Sequence, residues 1–295
     1  MVFSSDHGVV IVTGAGGHIG REVCRLFRAA HTRFLPVDVD FGAATDSVRC
    51  DLTQKDQVAR LFQSHPVRAV IHLAAILPSA FQSNPFAGVD LNLHACLDLL
   101  RQAVDAKVRR FVFASSMSVY GSSLSSHALT EGDPAAPDDS YGAAKRAVES
   151  VGETLAKAQA IEFVSLRIAR VIGPGIKKTS SPWRSQIFEA PAGSGPVRIP
   201  FAPDAALSLV HAEDVARMLV TLADAPIVCH SIYNTPVETW KAIDLKKVIE
   251  DLRGVRVELE QNGTHAGPLC DGSRFAAEFG FQLRGLRERL SLPLD

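Results

Sequence analysis

The chain has 295 residues, 46% of them apolar and 21% charged, which suits a large folded core and excludes a disordered chain. Its net charge of -1 lacks the basic excess that nucleic-acid binding draws on, so no nucleic-acid partner is expected. Five cysteines (Cys24, Cys50, Cys96, Cys229, Cys270) stand singly, with no close pair for a metal site and an odd count that fits free thiols in a reducing compartment. The first residues show no basic region ahead of a cleavable apolar run, and no stretch reaches the roughly 18–20 apolar residues of a membrane span. The reading is a cytoplasmic protein with no metal and no membrane partner.

Val9–Val12 is a β-branched run, followed at once by Gly14, Gly17 and Gly20 and then by a helical stretch, Arg21–Ala30. A second apolar run, Phe34–Val37, ends in Asp38, and Val67–Leu73 reads as a third strand. Asp90–Ala106 reads as one helix, with Leu93, Leu97, Leu100 and Val104 at helical spacing. Phe111–Ala114 and Ile161–Leu166 are strands on either side of an Ala-rich helix, Tyr141–Ala158. Strands alternating with helices predict an α/β fold, a Rossmann-type doubly wound parallel sheet. Gly173–Pro203, rich in Gly, Pro and Ser, reads as a loop-dominated part of a substrate lobe. Ser208–Val210 and Ala212–Ala223 read as a strand and helix that rejoin the main domain, and Leu245–Leu252 and Val255–Leu259 as a late helix and strand. The expected division is a nucleotide-binding domain over residues 1–169 plus about 205–235, and a smaller substrate lobe over about 170–204 plus 236–295.

The turn Thr13-Gly14-Ala15-Gly16-Gly17-His18-Ile19-Gly20 lies between the first strand and the first helix. Glycines there allow a tight turn and close backbone approach to a pyrophosphate, while the helix start offers free N–H groups and partial positive charge. Gly14, Gly17, His18, Ile19 and Gly20 are therefore candidate cofactor contacts. Asp38 ends the second strand, where a carboxylate accepts from both hydroxyls of an adenosine ribose and repels a 2′-phosphate, favouring NAD over NADP. Asp40 competes for that role, and Arg33 and Arg49 could accommodate an extra phosphate.

Tyr141 and Lys145 are four residues apart, one helical turn, which sets a phenol and an ammonium on one face. The ammonium is expected to lower the phenol pKa so that Tyr141 exchanges a proton with a substrate hydroxyl. Ser115-Ser116 closes the fourth strand, at the strand end where ligands sit in open α/β sheets, and either hydroxyl could hold a substrate oxygen.

Together these residues resemble the extended short-chain dehydrogenase/reductase superfamily and, within it, the NAD-dependent epimerase/dehydratase family. The resemblance runs through nearly the whole chain. It includes Asp51-Leu52, His72-Leu73-Ala74-Ala75, Asn92 seven residues after Pro85, and Ser115-Ser116 before Val119-Tyr120-Gly121. Further on it takes in Tyr141 with Lys145, Arg167 before Gly173-Pro174-Gly175, Val210-His211-Ala212-Glu213-Asp214-Val215-Ala216, and Asp271-Gly272-Ser273-Arg274 leading to Phe279-Gly280-Phe281. It implies that Asp51, Leu52, Leu73, Ala74, Ala75, Asn92 and Ser115 join the cofactor contacts. It implies catalysis by Ser116, Tyr141 and Lys145, with Ser118 near the substrate. It also implies a homodimer that pairs Asp90–Ala106 and Tyr141–Ala158 across a two-fold axis.

Two positions depart from the family's nucleotide-sugar enzymes: Arg170 stands where an Asn is common, and Leu207 where an Arg contacts the nucleotide. Trp183 and Arg184, in Lys177–Ser185, offer an apolar wall and an anion clamp, or equally a core residue and a surface ion pair. An internal acid, Glu213 or Asp204, could also neutralise Arg170. The expected activity is NAD-dependent hydride transfer at a hydroxyl or carbonyl carbon of a small, polyhydroxylated, acidic sugar-like substrate, bound in part by Ser116, Ser118, Arg170 and Arg184. The alternative is a nucleotide-sugar 4-epimerase that retains its NAD.

Overall fold

A computed structural model of the chain describes residues 8–40, 47–122, 127–176, 181–261, 263 and 266–292. Lys177 and Lys178 of the expected substrate segment lie outside them. The chain opens with β1 (Val9–Thr13), α1 (His18–Ala29), β2 (Phe34–Asp38), β3 (Val48–Arg49), α2 (Lys55–Ser64) and β4 (Val67–His72). Two short helices follow, α3 (Pro78–Ser83) and α4 (Pro85–Val89), each started by a proline, whose fixed φ suits the first helical position. A π-helical turn over Asp90–Ala95 leads into α5 (Cys96–Asp105). Next come β5 (Arg110–Ser116), a 3-10 turn (Met117–Tyr120), α6 (Ser140–Lys157), β6 (Glu162–Ile168) and β7 (Arg170–Ile172). The remainder is α7 (Trp183–Glu189), β8 (Val197–Ile199), β9 (Ala206–His211), α8 (Ala212–Asp224), β10 (Ile232–Asn234), β11 (Glu238–Lys241), α9 (Ala242–Arg253), β12 (Val257–Leu259), α10 (Ser273–Phe279) and α11 (Leu286–Ser291).

The chain divides into two compact units. The first is Met1–Gly121, Ala135–Arg167 and Ala216–Tyr233; the second is Ser122–Pro134, Ile168–Val215 and Asn234–Asp295. The stretch expected to rejoin the first unit near residue 205 does so only from Ala216, and Ser122–Pro134 counts with the second.

A seven-stranded sheet organises the first unit, in the order β10-β6-β5-β4-β1-β2-β3. β1 pairs in parallel with both β2 and β4, and Ile11 lies between Leu35 and Val70. All five residues of β1 are buried, as a central strand covered on both faces must be. Chain order reverses between β1 and β4, which opens a crevice at the carboxyl ends of the strands. The core on one face stacks Phe111 and Phe113 against Phe163, with ring centroids 6.0 and 6.1 Å apart.

Two buried arginines of this unit are paired with carboxylates. Glu149 on α6 and Arg167 on β6 are 0% and 2% exposed. They form a two-pronged bridge, Arg167 Nε to Oε1 at 3.0 Å and Nη2 to Oε2 at 2.8 Å, and Ser165 Oγ donates to Oε1 at 3.1 Å. The Arg167 guanidinium also lies 4.7 Å from the Tyr120 ring centroid, and its pKa is held above the ordinary value by the Glu149 carboxylate. Arg110, 1% exposed, spans from Glu162 to the carbonyls of Leu222 and Ala225 and ties the end of α8 to the sheet. His72 closes β4 beneath the glycine turn, its Nδ1 2.7 Å from Thr13 Oγ1 and its ring stacked 6.0 Å from Phe113. Burial, and then the nearby Lys145 charge, push its pKa down to about 3, so the ring is neutral.

The second unit holds a three-stranded sheet, β11-β9-β7, and a parallel pair, β12-β8. Its core gathers Trp183, Ile187 and Phe188 of α7 with Phe201, Leu207 and Leu209 and with Leu245 and Ile249 of α9. Gly173–Pro203, expected to be loop-dominated, also carries α7 and β8. α7 is seven residues long and β8 three, too short for a periodicity to show, and β8 is fixed by pairing with β12 far along the chain. Asp90–Ala106 is not one α-helix, because its first six residues wind as a π-turn. That turn presents Asn92 inward, where its amide accepts from Ile76 N and donates to Ile76 O, both at 2.8 Å.

Removing one partner of a buried pair leaves an uncompensated charge, so Arg167→Met should destabilise the fold by ~3–5 kcal/mol, read as a lowered urea midpoint. A shift within about 0.5 kcal/mol would mean that Glu149 finds another partner. The unfolded chain protonates His72 near pH 6.5, whereas the folded chain resists until about 3, so its stabilising contribution is present above 6.5 and lost as pH falls through that window. Between pH 6.5 and about 5, above the carboxylate range, His72→Asn should flatten the decline in urea midpoint. An unchanged slope would remove His72 as its source.

Candidate active site

The turn between β1 and α1 has the backbone that close approach to an anion needs. Gly14 takes φ +67°, a left-handed conformation that disfavours a side chain, and a Cβ there would lie 2.6 Å from Ala74 N. A Cβ on Gly20 would overlap the Gly14 carbonyl oxygen, so the first turn of α1 packs directly on the loop. Gly17 stands at the N-cap of α1 and offers no side chain to cap the helix start, the end of a helix that favours negative charge. Asp38 reaches this loop from the end of β2: its Oδ2 accepts from Gly16 N at 2.9 Å and its Oδ1 from Val39 N at 2.7 Å. Half-buried at the strand end, it sits where a ribose diol would meet it, whereas Asp40 is exposed. These features fit a dinucleotide.

Further contacts expected from sequence divide into two groups. Leu73, Ala74 and Ala75 follow β4 and are half-buried at the crevice edge. Thr13 Oγ1 receives Leu73 N at 3.3 Å and so joins this segment to β1. Asp51 uses Oδ1 to accept from Thr53 N and Oγ1, at 3.0 and 2.8 Å, which shapes the turn ahead of α2. Leu52 is 5% exposed and part of the core. Asn92, 1% exposed, commits its amide to Ile76, so it holds the loop after β4 instead of facing the crevice.

The reactive groups meet at the carboxyl end of β5. Ser115 is 3% exposed and its hydroxyl is a buried polar atom with no partner among the described residues. An orphaned hydroxyl at this strand end fits a site that a ligand completes. Ser116 is half-buried; its Oγ receives Ser118 N at 3.1 Å, lies 3.2 Å from Ser118 Oγ and hydrogen-bonds the Tyr141 phenol. Asp139 caps α6 by accepting Gly142 N at 2.6 Å, which fixes the helix start and with it the position of Tyr141. Lys145, 3% exposed, donates to Ala114 O at 2.7 Å and lies 4.6 Å from the Phe113 ring centroid and 5.7 Å from that of Tyr141.

Burial dominates the electrostatics. It pushes the Lys145 ammonium down to about 8, against the pull of Cys96 and Glu149. It pushes the Tyr141 phenol up to about 12, helped by Asp139 and opposed by the Ser116 hydrogen bond. This corrects the expectation that Lys145 lowers the phenol: desolvation outweighs it, and the ammonium is turned toward Ala114. Sequence reading also missed Phe81, which lies edge-on to Tyr141 with centroids 6.3 Å apart. Its only sequence signal is its place in Ile76–Asn84, the segment after the third strand, which carries α3.

Arg170 and Arg184 both lie in the second unit. Trp183, read from sequence as either apolar wall or core, is core at 1% exposure. Leu207 is fully buried.

Residues 10–234 match the NAD dependent epimerase/dehydratase family. The L-arabinose 1-dehydrogenase (NAD(P)(+)) of Haloferax volcanii is 28% identical over 54% of this chain and 65% of its own length. The D-erythronate dehydrogenase of Haemophilus influenzae is 23% identical over 84% of this chain and 82% of its own. The chain spans only 43–52% of three UDP-glucose 4-epimerases that it matches. The structure of MoeE5 in complex with UDP-glucuronic acid and NAD superposes with a TM-score of 0.81 and 26% identity, covering 96% of this chain and 97% of that one. The turn, the acid after β2 and the Ser-Tyr-Lys group thus sit on a matching fold under a family match spanning most of the sequence, and the chain belongs to the NAD-dependent epimerase/dehydratase family, of the extended short-chain dehydrogenase/reductase type, with NAD as its cofactor.

Proposed function

We propose that the chain is a dehydrogenase of carbohydrate metabolism that transfers hydride between NAD and a hydroxyl or carbonyl carbon of a small, polyhydroxylated, acidic sugar-like substrate. The observation that carries this reading is the convergence of Ser116, Tyr141 and Lys145 at the end of β5, in the unit that also holds the uncapped glycine turn. NAD, when bound, accepts or returns the hydride. Gly14, Gly17, His18, Ile19 and Gly20 would hold its pyrophosphate, and Asp38 would hold the adenosine ribose and disfavour a 2′-phosphate. Lys145 would donate to the nicotinamide ribose. Tyr141 takes the proton from the substrate hydroxyl, or gives it to the carbonyl. Ser116 holds the reacting oxygen beside the phenol, and Ser118 keeps the Ser116 hydroxyl in place. Burial raises Tyr141 to about 12, so its phenol is protonated at neutral pH and is ready to give its proton to a carbonyl.

The alternative is a nucleotide-sugar 4-epimerase with retained NAD, favoured by the likeness to a fold crystallised with a UDP-sugar. Against it stands Leu207: a fully buried aliphatic side chain within the second unit's core offers nothing to a nucleotide. We read the enzyme as cytoplasmic, a reading that its unpaired cysteines support; among the described residues no helix is long and apolar enough to cross a membrane. We read the active form as a homodimer joined through the helical stretch from Asp90 to Asp105 and through α6, whose Val151 is 40% exposed.

Tyr141→Phe removes only the proton-transfer hydroxyl. Turnover of sugar acids or aldoses, followed as reduced cofactor, should fall ~10²- to 10⁴-fold with NAD binding retained. Near-native turnover would send the proton elsewhere, and a native enzyme that reduces NAD with none of these substrates yet converts a UDP-sugar would establish the epimerase. Light scattering at micromolar concentration should give twice the mass of one chain; the mass of a single chain would remove the dimer.

A further inference from the structure

Among the described residues of the second unit, no carboxylate forms an ion pair with Arg170 or Arg184. Arg170 and Arg184 are both half-buried. The Arg170 guanidinium lies over the Phe201 ring, 4.7 Å from its centroid, and Nη2 donates to Ala266 O at 2.8 Å. Gly173 N donates to Arg184 O at 3.1 Å, which sets α7 against the end of β7, the strand that starts at Arg170. Trp183 meets the same Phe201 edge-on, at 6.1 Å. Arg184 Nε and Trp183 Nε1 are buried and have no partner among the described residues.

Four acids of this unit bind other groups, and Asp204, the other acid that sequence offers to Arg170, is exposed and forms no ion pair with it. Glu213 and Asp214 each receive Arg289 at 2.9 Å. Glu189 accepts Gly175 N at 2.6 Å and the Ser185 hydroxyl. Glu131 faces Arg274 at 3.4 Å and accepts Asn234 N at 2.7 Å. Burial and the neighbouring Arg184 charge push Arg170 down to about 10, and burial lowers Arg184 as well. Two guanidinium groups that repel each other in a low dielectric are costly for the fold unless an anion joins them.

We propose that Arg170 and Arg184 form a binding site for a carboxylate. Both guanidinium groups are planar forks that match two in-plane oxygens, and Phe201 packs against one of them. The carboxylate is either the acid group of the substrate, which rests on the oxidoreductase reading above, or a separate small organic acid that tunes the enzyme.

Calorimetric titration of the full chain with D-gluconate tests this, with sorbitol as the neutral match and inorganic phosphate as the rival anion. Gluconate should bind at least about tenfold more weakly to Arg170→Gln and to Arg184→Gln, about 1.4 kcal/mol or more. Arg170→Lys, which keeps the charge but loses the fork, should also weaken it. Because the cluster is strained without an anion, ligand-free Arg170→Gln should melt at or above the native temperature. A melting point several degrees lower, or gluconate binding as little affected as by the exposed Arg198→Gln, overturns the site. Phosphate bound as tightly as gluconate through the same arginines overturns the carboxylate class. Gluconate that is oxidised, or that competes with the substrate, identifies the substrate as the source; gluconate that alters turnover of a neutral sugar without being consumed identifies a separate acid. Arginine-dependent gluconate binding in a chain with no hydride-transfer activity would sink the oxidoreductase reading and leave the site standing.

Discussion

One buried cation organises the catalytic end of the first unit. The Lys145 ammonium is 3% exposed, and a charge so placed is tolerated only where its surroundings answer it. Ala114 O accepts one N–H, the faces of Phe113 and Tyr141 supply π density, and Glu149 supplies a negative field from one turn further along α6. The same cation helps keep His72 neutral and draws down the Cys96 thiol, which burial raises to about 12. Tyr141, Lys145 and Glu149 recur every four residues on one face of α6, so a single helix carries the proton donor, the cation and the cation's counter-charge. Glu149 is in turn anchored by Arg167 and Ser165 on β6, and the ladder ends in a two-pronged bridge within the sheet.

Legibility in sequence follows the range of the interaction. The glycine turn is a local geometric demand, and Asp38 follows directly from the strand it ends, so both are read from short segments. Tyr141 with Lys145 is legible because a four-residue spacing on a helix is itself a contact. Glu149 lies one turn further, but its role depends on knowing that this helix face is buried against β6, and its partner Arg167 is eighteen residues away on that strand. The raised phenol pKa was invisible for the same reason. The sequence shows the ammonium beside the tyrosine but not the burial around both, and burial is the larger effect.

The π-turn at Asp90–Ala95 and the helix α7 were hidden by different physics. Apolar residues at Leu93 and Leu97 satisfy an ordinary helix, and nothing local announces a widened turn. The signal is Asn92, whose amide needs both hydrogen bonds once buried and finds them in the backbone of Ile76, across the loop after β4. π-turns of this kind often mark functional segments, and this one braces the loop that carries Leu73, Ala74 and Ala75. In α7 the buried face is only Trp183, Ile187 and Phe188, and its Gly-, Pro- and Ser-rich flanks outweigh it in any window. What settles the helix is the core it enters, beside Phe201 and Leu245, and those residues come from distant parts of the chain.

Arg167 and Arg170 are three residues apart, and their opposite behaviour separates a structural charge from a receptive one. Arg167 meets a buried carboxylate through two hydrogen bonds, and its charged form is favoured beyond that of a free side chain. Arg170 meets a carbonyl, an aromatic face and a second arginine, and its charged form is disfavoured. The first arrangement has its counter-charge inside the fold. The second reaches its lowest energy only when an anion arrives, so that free energy is held for binding. Arg110, Arg167 and Arg289 each have an acidic partner, whereas Arg170 and Arg184 form no ion pair among the described residues. Glu213, which sequence offers as a partner for Arg170, is turned to Arg289 instead.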